Sequence, residues 1–146
     1  MTQLSKHFSL EELEHSQTAI SRDIDNTAPL DVMDHLTVLA EGLEAVRALL
    51  GYPLSINSGY RCLELNKAVG GSEHSAHMEG YAADFTCHQF GSIMDIVRRV
   101  TASDIKFDKV ISEGTWCHIS FDPQLRRQTM TAHFDAGGKA TYTQGA

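Results

Sequence analysis

The chain has 146 residues, 42% apolar and 21% charged, with 11 glycines and 3 prolines, which fits one folded domain at ~100–200 residues per domain and excludes disordered and collagen-like classes. Its 12 basic and 19 acidic residues leave a formal charge of −7, which opposes non-specific attraction to nucleic acid or anionic lipid. No stretch approaches the ~20 apolar residues of a membrane span, and Met1–Ser9 holds one Lys and no apolar run, so neither membrane insertion nor a secretory signal is expected.

Ser9, followed three residues later by Glu12, forms a capping box before Leu10 and Leu13 and predicts a helix from about Leu10 to His15. Asn26-Thr27-Ala28-Pro29 then offers a cap with proline near the first turn. Met33, Leu36, Ala40, Leu43, Val46 and Leu50 recur at helical spacing until Gly51, which predicts the main packing helix. His35, near its start, reads as a surface residue. Leu54-Ser55-Ile56-Asn57 alternates as a strand and meets Ser58-Gly59-Tyr60-Arg61, a turn that presents an arginine.

A short helix over Cys62–Val69 ends at Gly70-Gly71, and Ser72–Gly80 reads as an irregular, histidine-bearing loop leading into a strand over Tyr81–Thr86. Ile93, Ile96, Val97 and Val100 predict a scaffold helix over Ser92–Val100. Phe107–Ser112 and Thr115–Phe121 predict a hairpin closed at Glu113-Gly114. Asp122–Ala146 has weak periodicity and is expected to be an irregular or strand-like tail. The three cysteines, Cys62, Cys87 and Cys117, include no CxxC pair and read as reduced thiols.

Within Ser75–Asp84, a loop histidine, His77, precedes a strand aspartate, Asp84, by seven residues. Imidazole and carboxylate are zinc donors, and a catalytic zinc takes three protein ligands and leaves one position open. Loops also collect His and Asp for solubility and turns, so the pair alone does not decide. His118 is the best third donor: on a strand it shares a face with Trp116 and Ser120, while Cys117, Ile119 and Phe121 face a core. Glu113 is the nearby carboxylate able to act as general base, and Arg61 the cation able to stabilise a tetrahedral oxyanion. Taken singly, these two read as a solvated turn carboxylate and a surface ion-pair partner. His74 reads as surface or as support for the site, and Cys87-His88 is set aside because neighbours on a strand point to opposite faces.

Ser58-Gly59-Tyr60-Arg61, Asn66, Val69-Gly70-Gly71, the Ser75-x-His77-x-x-Gly80-x-Ala82-x-Asp84 run and Trp116-x-His118-Ile119-Ser120 together resemble the zinc D-alanyl-D-alanine carboxypeptidase family. That family includes cell-wall DD-carboxypeptidases and phage L-alanyl-D-glutamate endolysins. The resemblance runs from about Phe8 to Phe121. It implies an α+β fold, helices against a small antiparallel sheet of the hedgehog/DD-peptidase type, in a single domain over 1–146 with its core at about 8–121 and a tail at 122–146.

It further implies that His77, Asp84 and His118 hold Zn2+, and that Arg61 and Ser75 meet the substrate. One position departs: many members carry an acid three residues before the last histidine, where this chain has Thr115, so the base role passes to Glu113. The implied activity is hydrolysis of an amide bond in the peptide stem of peptidoglycan, as a D-Ala-D-Ala carboxypeptidase or an L-Ala-D-Glu endopeptidase. The expected protein is a monomeric phage endolysin, held in the host cytoplasm until it is released to the wall at lysis. The alternative is a non-catalytic peptidoglycan-binding or structural phage protein that keeps the zinc fold.

Overall fold

Two serine hydroxyls start the chain's first helices in the computed structural model, which describes residues 2–146. Ser9 accepts the Glu12 N–H to cap α1 (Leu10–Glu14), and Ser16 accepts the Ala19 N–H to cap α2 (Gln17–Ser21). The second of these helices is absent from the sequence reading. Next comes the long α3 (Leu30–Leu50), which ends where Gly51 adopts φ 80° and returns its N–H to Arg47, a left-handed terminus that suits glycine.

Asn26 does not cap α3, whose N-cap is Pro29. Its buried amide instead donates to the carbonyls of Glu14 and Tyr60, at 2.8 and 2.9 Å, and accepts the Cys62 N–H at 2.8 Å. It thereby brackets the turn that carries Arg61.

The remaining elements are β1 (Ser55–Ser58), α4 (Leu63–Ala68), α5 (Ala76–Glu79), β2 (Ala82–Thr86), α6 (Ile93–Thr101), β3 (Lys109–Ser112), β4 (Cys117–Ser120), β5 (Gln128–Phe134) and β6 (Ala140–Gln144). The predicted α+β architecture holds. The six strands form one sheet in the order β1-β2-β4-β3-β5-β6, antiparallel except for the parallel β3–β5 pair. The tail proves to be the β5–β6 hairpin that extends this sheet. Glu113–Trp116 makes a four-residue connection between β3 and β4, with the Glu113 N–H on the Trp116 carbonyl at 3.0 Å.

One face of the sheet carries Ala83, Phe85, Val110, Cys117 and Ile119, which pack with Leu36, Leu39, Leu43 and Val46 of α3 and with Ile96, Val97 and Val100 of α6 in the core. Helix and sheet meet closely at Gly42, where a Cβ would come within 2.4 Å of the Phe121 ring. Side chains alternate along a strand, so burying these residues turns Asp84, Lys109, Ile111 and His118 to the opposite face. No helix among the described residues is long and apolar enough to cross a membrane.

Candidate metal centre

Asp84 and His118 are direct partners in the β2–β4 register, and Ile111 stands across from His118 on β3. His77 comes from the other side, on the single turn of α5 rather than on an irregular loop. Ser75 caps that turn by accepting the His77 N–H at 3.2 Å, and Gly80 ends it at φ 81°. A Cβ at Gly80 would meet Val32 Cγ1 at 2.6 Å, so the turn that holds His77 is pressed against α3.

One oxygen of Asp84 lies 3.2 Å from His77 Nε2 and 3.0 Å from His118 Nδ1. The two imidazole rings meet edge-on, with centroids 5.1 Å apart. Ligand atoms of all three residues lie within 4.8 Å of one another. Burial pushes the Asp84 carboxyl up, but His77 and His118 outweigh it and hold the group well below the usual carboxylate range.

The donor set fits a zinc ion. His77 Nδ1 is 2.7 Å from the Gly59 carbonyl, which accepts its ring proton and leaves Nε2, the atom facing Asp84, as the ring position able to take a metal. Backbone bonds brace this contact: the Arg61 N–H donates to the His77 carbonyl at 3.1 Å, and the Tyr60 N–H to the Leu13 carbonyl at 2.7 Å. Such support orients an imidazole ligand and fixes its tautomer. Two histidines and one aspartate are three protein donors, the number found in catalytic rather than structural zinc sites.

The cluster opens into a cleft of about 490 Å³ whose lining includes Arg61, Ser75, Glu113, Trp116 and Tyr142. Arg61 is half-buried, with Nη2 3.3 Å from Ser75 Oγ and a buried Nε that has no partner among the described residues. Burial lowers the Arg61 pKa, while Asp84 raises it. Glu113 is half-buried and lines the same cleft. Its carboxyl is raised above the ordinary range, chiefly by burial and further by the charge of Asp84, against the pull of His118 and the Tyr142 hydroxyl.

All six residues singled out from the sequence thus line one cleft. His74 also lines it but stays outside the donor cluster, and its side chain is exposed. Cys87 is buried against the Pro53 carbonyl while His88 is exposed. His35 is more than a surface residue: it stacks on Tyr81 at 4.2 Å and bonds the Glu79 carbonyl at 2.6 Å. The sequence reading missed Tyr142, whose hydroxyl reaches Glu113, and the Asp108–Arg126 pair that also lines the cleft. No local motif marks either one, because each depends on where the tail folds.

Comparison with known proteins agrees with this geometry. A zinc D-Ala-D-Ala carboxypeptidase from Streptomyces albus G is 44% identical over 43 residues, a stretch that is 29% of this chain and 17% of that protein. The match to that relative therefore spans well under two thirds of its length. Residues 6–120 match the family described as Peptidase M15, which takes in every element from α1 to β4 and the three clustered donors. On that extent the chain belongs to the peptidase M15 family, and its clustered donors fit a zinc site.

Proposed function

We propose that this protein hydrolyses an amide bond in the peptide stem of bacterial peptidoglycan, in the manner of a phage endolysin of D-Ala-D-Ala carboxypeptidase or L-Ala-D-Glu endopeptidase type. The observation that carries this reading is that Glu113 and Arg61 line the same cleft as the His77–Asp84–His118 cluster. The partial similarity to a carboxypeptidase named for D-Ala-D-Ala supports the substrate class.

His77, Asp84 and His118 would hold the zinc. When bound, zinc polarises a carbonyl and lowers the pKa of a water toward ~7. Glu113 accepts a proton from the water that attacks the scissile carbonyl carbon, and its raised pKa suits an acceptor that must later release that proton. The tetrahedral centre collapses as the C–N bond breaks, and Glu113 passes the proton to the departing amine. Arg61 offers its guanidinium, which lines the cleft, to the developing oxyanion or to a substrate carboxylate. Ser75 holds the Arg61 fork and α5 in place and turns its own hydroxyl proton to the substrate.

Mass spectrometry of purified muropeptides before and after treatment tests the proposal. Cleavage at one stem bond, lost in Glu113→Gln with zinc retained, is the expected result. Muropeptides left intact by the zinc-loaded parent would overturn it in favour of a non-catalytic binding protein. The expected site of action is the cell wall, reached from the host cytoplasm at lysis.

A further inference from the structure

The segment beyond residue 120, where the family match ends, builds one wall of the cleft. β5 joins the sheet alongside β3, and β6 folds back on β5 with Tyr142 opposite Ala132. This register brings the Tyr142 hydroxyl to 3.4 Å from one Glu113 carboxylate oxygen and 3.3 Å from the other. The same hairpin touches the β3–β4 connection a second time, where a Cβ on Gly114 would meet Phe134 at 3.2 Å. Tyr142 is thus seated by its own strand and by a contact on the very turn that carries Glu113.

We propose that Tyr142 is the positioning residue for Glu113: its phenol spans both carboxylate oxygens and fixes the direction in which that carboxylate faces the cleft. This rests on the reading of Glu113 as general base. Glu113 sits on a short connection whose backbone bonds hold the main chain but not the carboxylate. A glutamate side chain left to itself carries considerable rotamer entropy, which must be lost before it can take a proton in the right place. Among the described residues, Tyr142 is the side chain that hydrogen-bonds the Glu113 carboxylate. A phenol O–H donates to the ionised carboxylate, so it also favours the form competent to accept a proton. The C-terminal hairpin is on this view part of the active-site apparatus.

Steady-state kinetics of the zinc-loaded full chain on purified muropeptides, across pH, test the inference with Tyr142→Phe, Tyr142→Ala and Glu113→Gln. For Tyr142→Phe, kcat should fall about tenfold with KM held, as expected for loss of one hydrogen bond to a charged group. The acid limb of its kcat profile should move to higher pH, with zinc content and thermal midpoint unaltered. Tyr142→Ala should lose no more kcat than Tyr142→Phe. Parental kcat and an unmoved acid limb in Tyr142→Phe, with a loss confined to Tyr142→Ala, would assign the ring to packing and overturn the inference. If Glu113→Gln is inactive while Tyr142→Phe is parental, the positioning role alone fails. If Glu113→Gln turns over like the parent, or the parent leaves muropeptides uncut, the underlying reading fails and takes this one with it.

Discussion

Asp84 stands directly across from His118 in the β2–β4 ladder, and the same carboxylate oxygen that meets His118 Nδ1 at 3.0 Å meets His77 Nε2 at 3.2 Å. A single atom therefore joins a ligand fixed by strand register to one fixed by a helical turn. Asp84→Asn keeps the shape but removes the charge. Changes to groups that merely support a metal ligand cost ~10–100-fold in affinity, so this loss should exceed about 100-fold. Competition with a chromogenic chelator measures it.

Glu113 supplies a prediction in which activity and stability part. Burial raises its carboxyl pKa, so the folded chain binds this proton more tightly than the unfolded chain does. Ionising Glu113 as pH rises through that raised value therefore costs stability. Metal-free Glu113→Gln should be at least as stable as the parent at pH 7 by urea unfolding, although it is inactive. The acid limb of the parent's kcat/KM should lie above the ordinary glutamate value of ~4.3.

Asp108 provides the opposite sign. Its carboxylate is 3% exposed and accepts Arg126 Nε and Nη2, each at 2.8 Å, as well as the Arg126 N–H at 3.1 Å. Those bonds hold its pKa down, so its contribution is complete above the unfolded carboxylate value and disappears as pH falls through the folded one. Asp108→Asn should cost about 1–2 kcal/mol at pH 7, limited because Arg126 can rehydrate. The gap between parent and variant should begin to narrow below pH ~4 and close only below the lowered folded value. Unfolding curves at pH 7 and pH 3 check both halves of this expectation.

At Gly80, backbone conformation and space act together. Its φ of 81° disfavours a side chain, and a Cβ would press on Val32. Gly80→Ala should cost about 2–4 kcal/mol, from left-handed strain plus overpacking. Because this residue ends the turn that carries His77, zinc affinity should fall with it. Calorimetric zinc titration beside thermal unfolding would separate the two losses.

Much of the site was legible because its determinants are local. Cys117, Ile119 and Phe121 are apolar on one side of β4, and that alternation alone turned His118 outward. The stripe from Leu36 to Leu50 announced α3, and Gly51 its end. What escaped the sequence has few local marks. α2 and α5 are single turns started by serine caps, too short to display a periodicity. β5 carries Thr129, Thr131 and His133 beside Met130 and Ala132, and only Ala132 is buried, so neither face reads as a core face. Pairing with β3 is parallel and long-range, and nothing in Tyr142 or Glu113 singly points to the other. Asn26 looked like a helix cap because asparagine suits caps, whereas its amide is used to tie three distant stretches of backbone.

The grip on His77 is made largely by main-chain atoms: the Gly59 carbonyl takes its ring proton, and its own carbonyl takes the Arg61 N–H. Amides and carbonyls do not change when side chains mutate. At Gly59 the path is fragile, since a Cβ there would collide with the Leu13 carbonyl at 2.4 Å. Side chains flanking this loop can therefore change and leave the same imidazole orientation, provided that Gly59 and Gly80 each keep a hydrogen where a methyl would collide.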